Sequence, residues 1–438
     1  MESPDIFLLV LDSLRYDYVN PDCNESSTTP NLQKLIDDGT YLQETYSTGS
    51  WTVPAHGSLF SGMLPSESGI GGEHRWFDCD ESLAQGLRSQ GYETIGVSTN
   101  PWITSDFGYD EGFDKLYSCF PKLPFDSRDP RKEIKKIDGE SSADTYWELM
   151  KWILSDNRFN RLGNSFYSLL SNRLPYTAAD ELTNRAIREI ERSGSPRFFF
   201  VNYMDAHEPY TEESRLDEDV TWNLDSVVAS SQPDREAVSD VYATDVRFLD
   251  QAIGTFIDYL KSAGLYKDSL LVILGDHGQA LGEHDYWGHG TFLYESLIKV
   301  PVIVKPPEGI RVSRSGSPMS IIDVHDAIKE VSKSGDLEAL SATDRDYVVA
   351  ESFGAHESTN IEWIPDDGYR AIITEDTFGI VNLGTEEVEL VNPPTDEGKR
   401  GIEEIADREG LIDELTTEAG NSRVDDAVAD RLEQLGYK

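Results

Sequence analysis

Cysteine is scarce in this chain of 438 residues: Cys23, Cys79 and Cys119 are the whole complement. An odd number without CxxC spacing suggests neither a disulfide framework nor a zinc knuckle. The three are expected to be packing residues or ordinary thiols. Basic residues are scarce too, with 38 Lys and Arg against 81 Asp and Glu, a formal net charge of −43 and a pI of about 4.4. Nothing resembles a basic patch, which argues against nucleic acid as a partner. No window approaches the length of a membrane span. The N-terminus, Met1-Glu-Ser-Pro-Asp, lacks the basic region and apolar segment of a signal peptide. A cytoplasmic protein with no integral membrane segment is therefore expected. Internal repeats and low-complexity tracts are also missing.

The acidic excess is spread along the chain rather than gathered in a tail. An excess of this size reads as adaptation to high salt, as in a halophilic archaeon, where counterions screen self-repulsion.

Residues 6–11 form a continuous apolar run, the pattern of a strand buried on both faces. Thr29 and Pro30 open a helix over 31–38, stopped by Gly39. Helices are predicted over 83–90, 178–193 and 240–262, and strands over 94–98, 198–203, 270–274 and 300–304. Such alternation implies a parallel or mostly parallel sheet covered on both faces. Functional groups gather at the carboxyl ends of strands in such sheets, and Asp12, Asp205 and Asp276 all sit there. Residues 105–175 show little periodicity and read as a variable insertion near the substrate entrance. From about 345, short strands over 347–350, 369–374, 378–383 and 388–391 suggest an antiparallel sheet, closed by a helix over 423–435.

Three stretches carry the chemistry. The first strand ends in Asp12-Ser13-Leu14-Arg15, and the strand over 269–274 ends in Gly275-Asp276-His277-Gly278. Between them lies Ser50-Trp51-Thr52-Val53-Pro54-Ala55-His56, in which Thr52 opens a helix. A carboxylate behind a buried strand is costly unless paired or bound to a cation. Two such carboxylates and a helix-opening hydroxyl are the parts of a metal-activated nucleophile. Thr52 as a plain helix cap is the competing reading, and both roles suit one residue.

Together these stretches resemble the sulfatase branch of the alkaline phosphatase superfamily, over nearly the whole chain. The resemblance implies an α/β fold: an alkaline phosphatase-like three-layer α/β/α sandwich over residues 1–340. Residues 341–438 are then a small C-terminal α+β subdomain with an antiparallel sheet. Thr52 stands where that family places its nucleophile. Formylglycine sulfatases need Cys or Ser there, Pro two residues on and Arg four residues on; here Pro54 matches and His56 replaces the Arg. Thr offers no thiol or primary alcohol to oxidise, so no formylglycine is expected and the Thr hydroxyl itself is the implied nucleophile.

The family usually has two adjacent acidic residues where this chain has Asp12-Ser13, so one hard oxygen ligand is missing. Asp12, Asp276, His277 and the Thr52 oxygen make a mixed O/N set that suits one Mn²⁺ or Zn²⁺ better than Ca²⁺. Two-metal members supply a separate Asp/His/His set, and the spacing of Asp205 and His207 does not match it; one metal is expected. His207, in the family's His-x-Pro element, and His289, where many members have Lys, are the candidates to contact the ester oxygens and protonate the leaving group. His56, Asn100, Trp102 and His284 are candidate substrate contacts; His74, His325 and His356 are expected to be structural.

The implied activity is cleavage of a phosphate mono- or diester through a covalent threonine ester. The substrate would be a small-molecule, glycan-derived or lipid-derived anionic ester. A sulfatase working through unmodified Thr52, a transferase moving a phosphorylated head group, and a non-catalytic binding module remain as other readings. The sequence gives no oligomeric state.

Overall fold

The structure is a computed structural model and describes residues 3–19, 28–72, 74–119, 178–208, 234–312, 316–334, 345–353 and 368–411, with a few single positions besides. Its elements belong to one compact unit, Met1–Ser118 with Ala178–Ser422.

The strands of the central sheet are β1 (Ile6–Leu11), β2 (Thr40–Leu42), β3 (Glu93–Ser98), β4 (Lys115–Ser118), β5 (Arg197–Tyr203), β6 (Leu270–Gly275) and β7 (Val302–Lys305). They lie in the order β2-β7-β6-β1-β5-β3-β4. The pairings β6-β1-β5-β3-β4 are all parallel, while β7 runs antiparallel to both β6 and β2. Every residue of β1, β5 and β6 is buried, as expected when helices cover both faces. The helices are α1 (Pro30–Asp38), α2 (Thr52–Ser61), α3 (Leu83–Ser89), α4 (Ala179–Glu191), α5 (Arg235–Ser262) and α6 (Ile321–Ser334). Alternate phenylalanines show the layering. Phe7 on β1 meets Phe256 of α5 edge-on at 6.0 Å, and Phe200 on β5 meets Phe60 of α2 at 5.1 Å. Phe199, the register partner of Phe7, neighbours Phe200 on the chain, so Phe7 and Phe200 point to opposite faces.

Strands β8 (Val348–Ser352), β9 (Tyr369–Ile373), β10 (Phe378–Asn382) and β11 (Glu387–Asn392) form a separate antiparallel sheet in sequential order. This sheet is not remote from the central one. Ala350, Tyr369 and Ala371 share one core with Tyr286, Phe292 and Leu297, which lie on the segment after β6.

Two expectations are corrected. The stretch from 105, read as an aperiodic insertion, contributes β4 as the edge strand of the central sheet, parallel to β3. A helix not foreseen, α7 (Asp396–Glu409), packs Ile402 and Ala406 against Ile372 and Val381. The rest of the 105–175 stretch beyond 119, apart from Lys151, and the helix expected over 423–435 lie outside the described residues. Among the described residues no helix is long and apolar enough to cross a membrane.

Candidate functional site

The carboxyl edge of the central sheet assembles the site by register. Leu11 pairs with Gly275 and Tyr203 with Leu11, so the residues that follow β1, β5 and β6 emerge side by side. Asp12 and Asp276 are both essentially inaccessible, at 0% and 1% exposure. The turn after β1 puts Ser13 in the left-handed region at φ 60°, which brings its N–H to Asp276 Oδ1 at 3.1 Å. The N–H of His277 donates to the same oxygen at 2.9 Å. Gly278 must be glycine, because a Cβ there would lie 2.1 Å from the Ser296 carbonyl oxygen.

Thr52 is the first residue of α2, with Trp51 as the N-cap and no side-chain capping bond there. Instead Oγ1 donates to Asp12 Oδ2 at 3.2 Å. Asn100, two residues beyond β3, donates from Nδ2 to the same Asp12 oxygen at 2.6 Å and to Thr52 Oγ1 at 3.3 Å. The Trp102 N–H holds Asn100 Oδ1 at 2.8 Å, which fixes the amide with its donor end toward Thr52. Asn100 is thus brought to the hydroxyl itself. Trp102 packs edge-on against Trp51 at 6.0 Å, and the Arg75 guanidinium lies over both rings at 5.1 and 5.8 Å.

Asp12, Asp276 and His277 each present one donor atom within 4.8 Å of the others. Asp276 Oδ2 and His277 Nε2 are buried without hydrogen-bond partners. His277 Nδ1 donates to the Gly278 carbonyl at 2.8 Å, which leaves Nε2 as the ring atom a cation would meet. Orphaned oxygen and nitrogen acceptors converging at this depth fit a divalent cation. Burial alone would raise the Asp276 pKa, but His277 and His56 outweigh it and hold the carboxyl below its ordinary range.

His56, expected to touch substrate, is fully buried one turn into α2. Its Nδ1 faces the Thr52 carbonyl at 3.1 Å and Asp276 Oδ2 at 3.4 Å. The structure therefore brings it to the acidic pair. His284 is not brought to the site: it lies on an exposed turn at φ 55° and stacks on Tyr294 at 4.2 Å. Asp205 also turns away. Its Oδ1 accepts from the Ala179 N–H at 2.9 Å, at the start of α4, and burial pushes its carboxyl up to about 7.

His207 and His289 do converge, with ring centroids 5.0 Å apart, and His289 lies 4.5 Å from His277. Two partners were not singled out from the sequence. Glu208 joins these two imidazoles in a second group of donor atoms within 4.8 Å. Gln279 donates to Glu208 Oε2 and accepts from His289 Nδ1 at 2.6 Å. Burial would lower the His207 pKa, but the Glu208 and Asp12 carboxylates raise it above its ordinary value. Glu208 itself is raised by burial. His325, by contrast, is buried on the Leu59 carbonyl at 3.0 Å, a structural role as expected. His356 and Cys23 lie outside the described residues.

The family described as Sulfatase matches residues 4–331. An uncharacterized sulfatase, YidJ, of Escherichia coli (strain K12) is 21% identical, with 99% of this chain and 88% of that protein covered. An arylsulfatase of Clostridium perfringens (strain 13 / Type A) is 22% identical, over 80% of this chain and 82% of that protein. Among solved structures, a phosphonate monoester hydrolase from Silicibacter pomeroyi superposes with a TM-score of 0.62 at 16% identity, covering 98% of this chain and 94% of that one.

Proposed function

The chain belongs to the sulfatase family of the alkaline phosphatase superfamily and is a hydrolase of sulfuric or phosphoric esters; from that premise we propose that it cleaves a phosphate mono- or diester through a covalent Thr52 intermediate. The observation that carries this reading is the Thr52 hydroxyl, turned away from its own helix and onto Asp12 at 3.2 Å.

Asp12, Asp276, His277 and Thr52 would hold one divalent cation, Mn²⁺ or Zn²⁺, which when bound acidifies the Thr52 hydroxyl and offsets the buried negative charge. Thr52 Oγ1 passes its proton to Asp12 Oδ2, its acceptor at 3.2 Å, and attacks phosphorus in line, forming the Oγ1–P bond as the bond to the departing oxygen breaks. Asn100 Nδ2 and the N-terminus of α2 favour negative charge on Oγ1. The leaving oxygen takes a proton from His207 or His289. Water, or another alcohol, then gives a proton to that same imidazole and attacks the phosphothreonine in line, and the departing Thr52 Oγ1 takes its proton back from Asp12.

Phosphorus is preferred because a second in-line attack clears a phosphothreonine. A sulfated Thr has no equivalent of the elimination that an aldehyde hydrate provides, and Thr52 has no primary alcohol from which to make one. The substrate is read as a small-molecule, glycan-derived or lipid-derived anionic ester. A sulfate ester cleaved by unmodified Thr52 is the second reading, favoured by the arylsulfatase and choline-sulfatase relatives. The acid excess is read as adaptation to a high-salt cytoplasm. A panel of phosphomonoester, phosphodiester and sulfate-ester substrates, with metal varied at high salt, separates the readings. Turnover of sulfate esters alone would overturn the phosphorus preference.

A further inference from the structure

We propose that Gln279 is a positioning residue that fixes the tautomer and ring orientation of His289, and that Glu208 sets Gln279 for that task. This rests on the reading of His289 as a group that addresses the departing oxygen.

A side-chain amide has one donating and one accepting end, whereas a carboxylate only accepts. Gln279 Nε2 donates to Glu208 Oε2, so the oxygen end must face the other way. There it meets His289 Nδ1 at 2.6 Å. An amide oxygen cannot donate, so Nδ1 carries the hydrogen and Nε2 is the ring atom that exchanges a proton with a substrate. Glu208 Oε1 is 3.9 Å from His289 Nδ1, beyond hydrogen-bond reach; the amide carries the link between them. Gln279 is itself held, because Arg15 Nη1 donates to its backbone carbonyl at 2.9 Å and its side chain is buried. His207 follows the same pattern with a different partner, its Nδ1 facing the backbone carbonyl of Glu208. His277, with Nδ1 on the Gly278 carbonyl, completes a row of three imidazoles that each place Nδ1 on an oxygen.

Without the Gln279 oxygen, His289 Nδ1 loses the acceptor that selects its tautomer, and the loss falls on the step that needs a proton. A leaving group that departs as a stable anion needs no acid, whereas an alkoxide does.

The test is Gln279→Leu in the zinc-loaded full chain, assayed on a nitrophenyl and an alkyl ester of the same acid. The expected result is a loss of about 10²-fold in kcat/KM on the alkyl ester, the low end of what general acid catalysis contributes. The nitrophenyl ester should change by a few-fold, and bound zinc should be unchanged. Glu208→Gln, which frees the amide to rotate, should shift the two esters in the same order. Equal losses on both esters would make Gln279 merely structural. Binding of a second zinc that Glu208→Gln removes would make the cluster a cation site. Either result overturns the proposal. Nitrogen-15 spectra of labelled histidine give a readout independent of turnover. They should show His289 protonated at Nδ1 in the wild type and no longer uniformly so in Gln279→Leu; an Nε2-protonated wild type also overturns it. If the wild type cleaves neither ester yet shows the Nδ1 tautomer, the proposed function fails while the positioning stands.

Discussion

Asp12 and Asp276 stand side by side because Leu11 pairs with Gly275 in adjacent parallel strands. Both carboxylates are buried, and the Ser13 N–H bonds to Asp276 Oδ1, tying the two turns together. Two negative charges at that depth repel and lose hydration, a cost of several kcal/mol per ion unless a cation or proton answers it. Purified protein should therefore carry about one Mn or Zn per chain, and Asp276→Ala should lose it. Elemental analysis that finds calcium, or two equivalents of zinc, would contradict the ligand set.

Asn100 is the residue whose role the structure enlarges most. Its Nδ2 reaches both Asp12 Oδ2 and Thr52 Oγ1, so its contribution grows as charge develops on Oγ1. Asn100→Ala should lower kcat by about 10²-fold, as removal of one preorganised donor does, with a much smaller change in KM. A variant in which KM rises and kcat holds would assign Asn100 to ground-state binding alone.

Asp205 gives a stability prediction in pH. Burial pushes its carboxyl up to about 7, with Asp245 adding to the rise and the Ala179 N–H opposing it. The unfolded value is about 4, so the folded state holds this proton more tightly. Its contribution to stability is present in full below about pH 4 and is lost as pH rises through about 7. Asp205→Asn keeps an oxygen for the Ala179 N–H and removes the ionisation. The variant should melt above the wild type at about pH 8, and the gap should close toward pH 5. Parallel melting curves across that range would contradict the shift.

How far the sequence was legible depended on the kind of signal. The apolar runs of β1, β5 and β6 could be read directly, because strands buried on both faces leave no polar position to obscure them. Asp12 and Asp276 followed, since strand ends locate themselves. α7 was missed because its buried face is only Gly398, Ile402 and Ala406 among acidic and basic neighbours, a stripe too narrow to stand out. The four residues of β4 pair on one side only, with β3, and carry no such run. Glu208 and Gln279 were passed over for a different reason. Their part depends on two chain segments meeting, Glu208 after β5 and Gln279 after β6, and spacing within one segment does not show it. His284 shows the opposite case: it sits inside a matched motif, and the turn it occupies points its ring at Tyr294, which no motif spacing shows.

Salt should act on the whole chain. With a net charge of −43, self-repulsion is relieved as counterions screen it, the Debye length falling from about 10 Å at ~0.1 M to about 3 Å at ~1 M. The melting temperature should rise steadily with KCl up to ~2 M. A flat melting curve over that range would count against high-salt adaptation.

The central claim is that Thr52 itself forms the bond to the substrate. Thr52→Ala should abolish turnover while the fold and most of the metal remain, and Thr52→Ser should keep part of the activity because the hydroxyl is retained. The most direct measurement is the intact and peptide mass of wild-type enzyme quenched during turnover of a phosphate ester. The account predicts an added phosphoryl group on the peptide that contains Thr52. An unmodified Thr52 peptide, together with a Thr52→Ala variant that turns over at near the wild-type rate, would contradict it and make water the nucleophile.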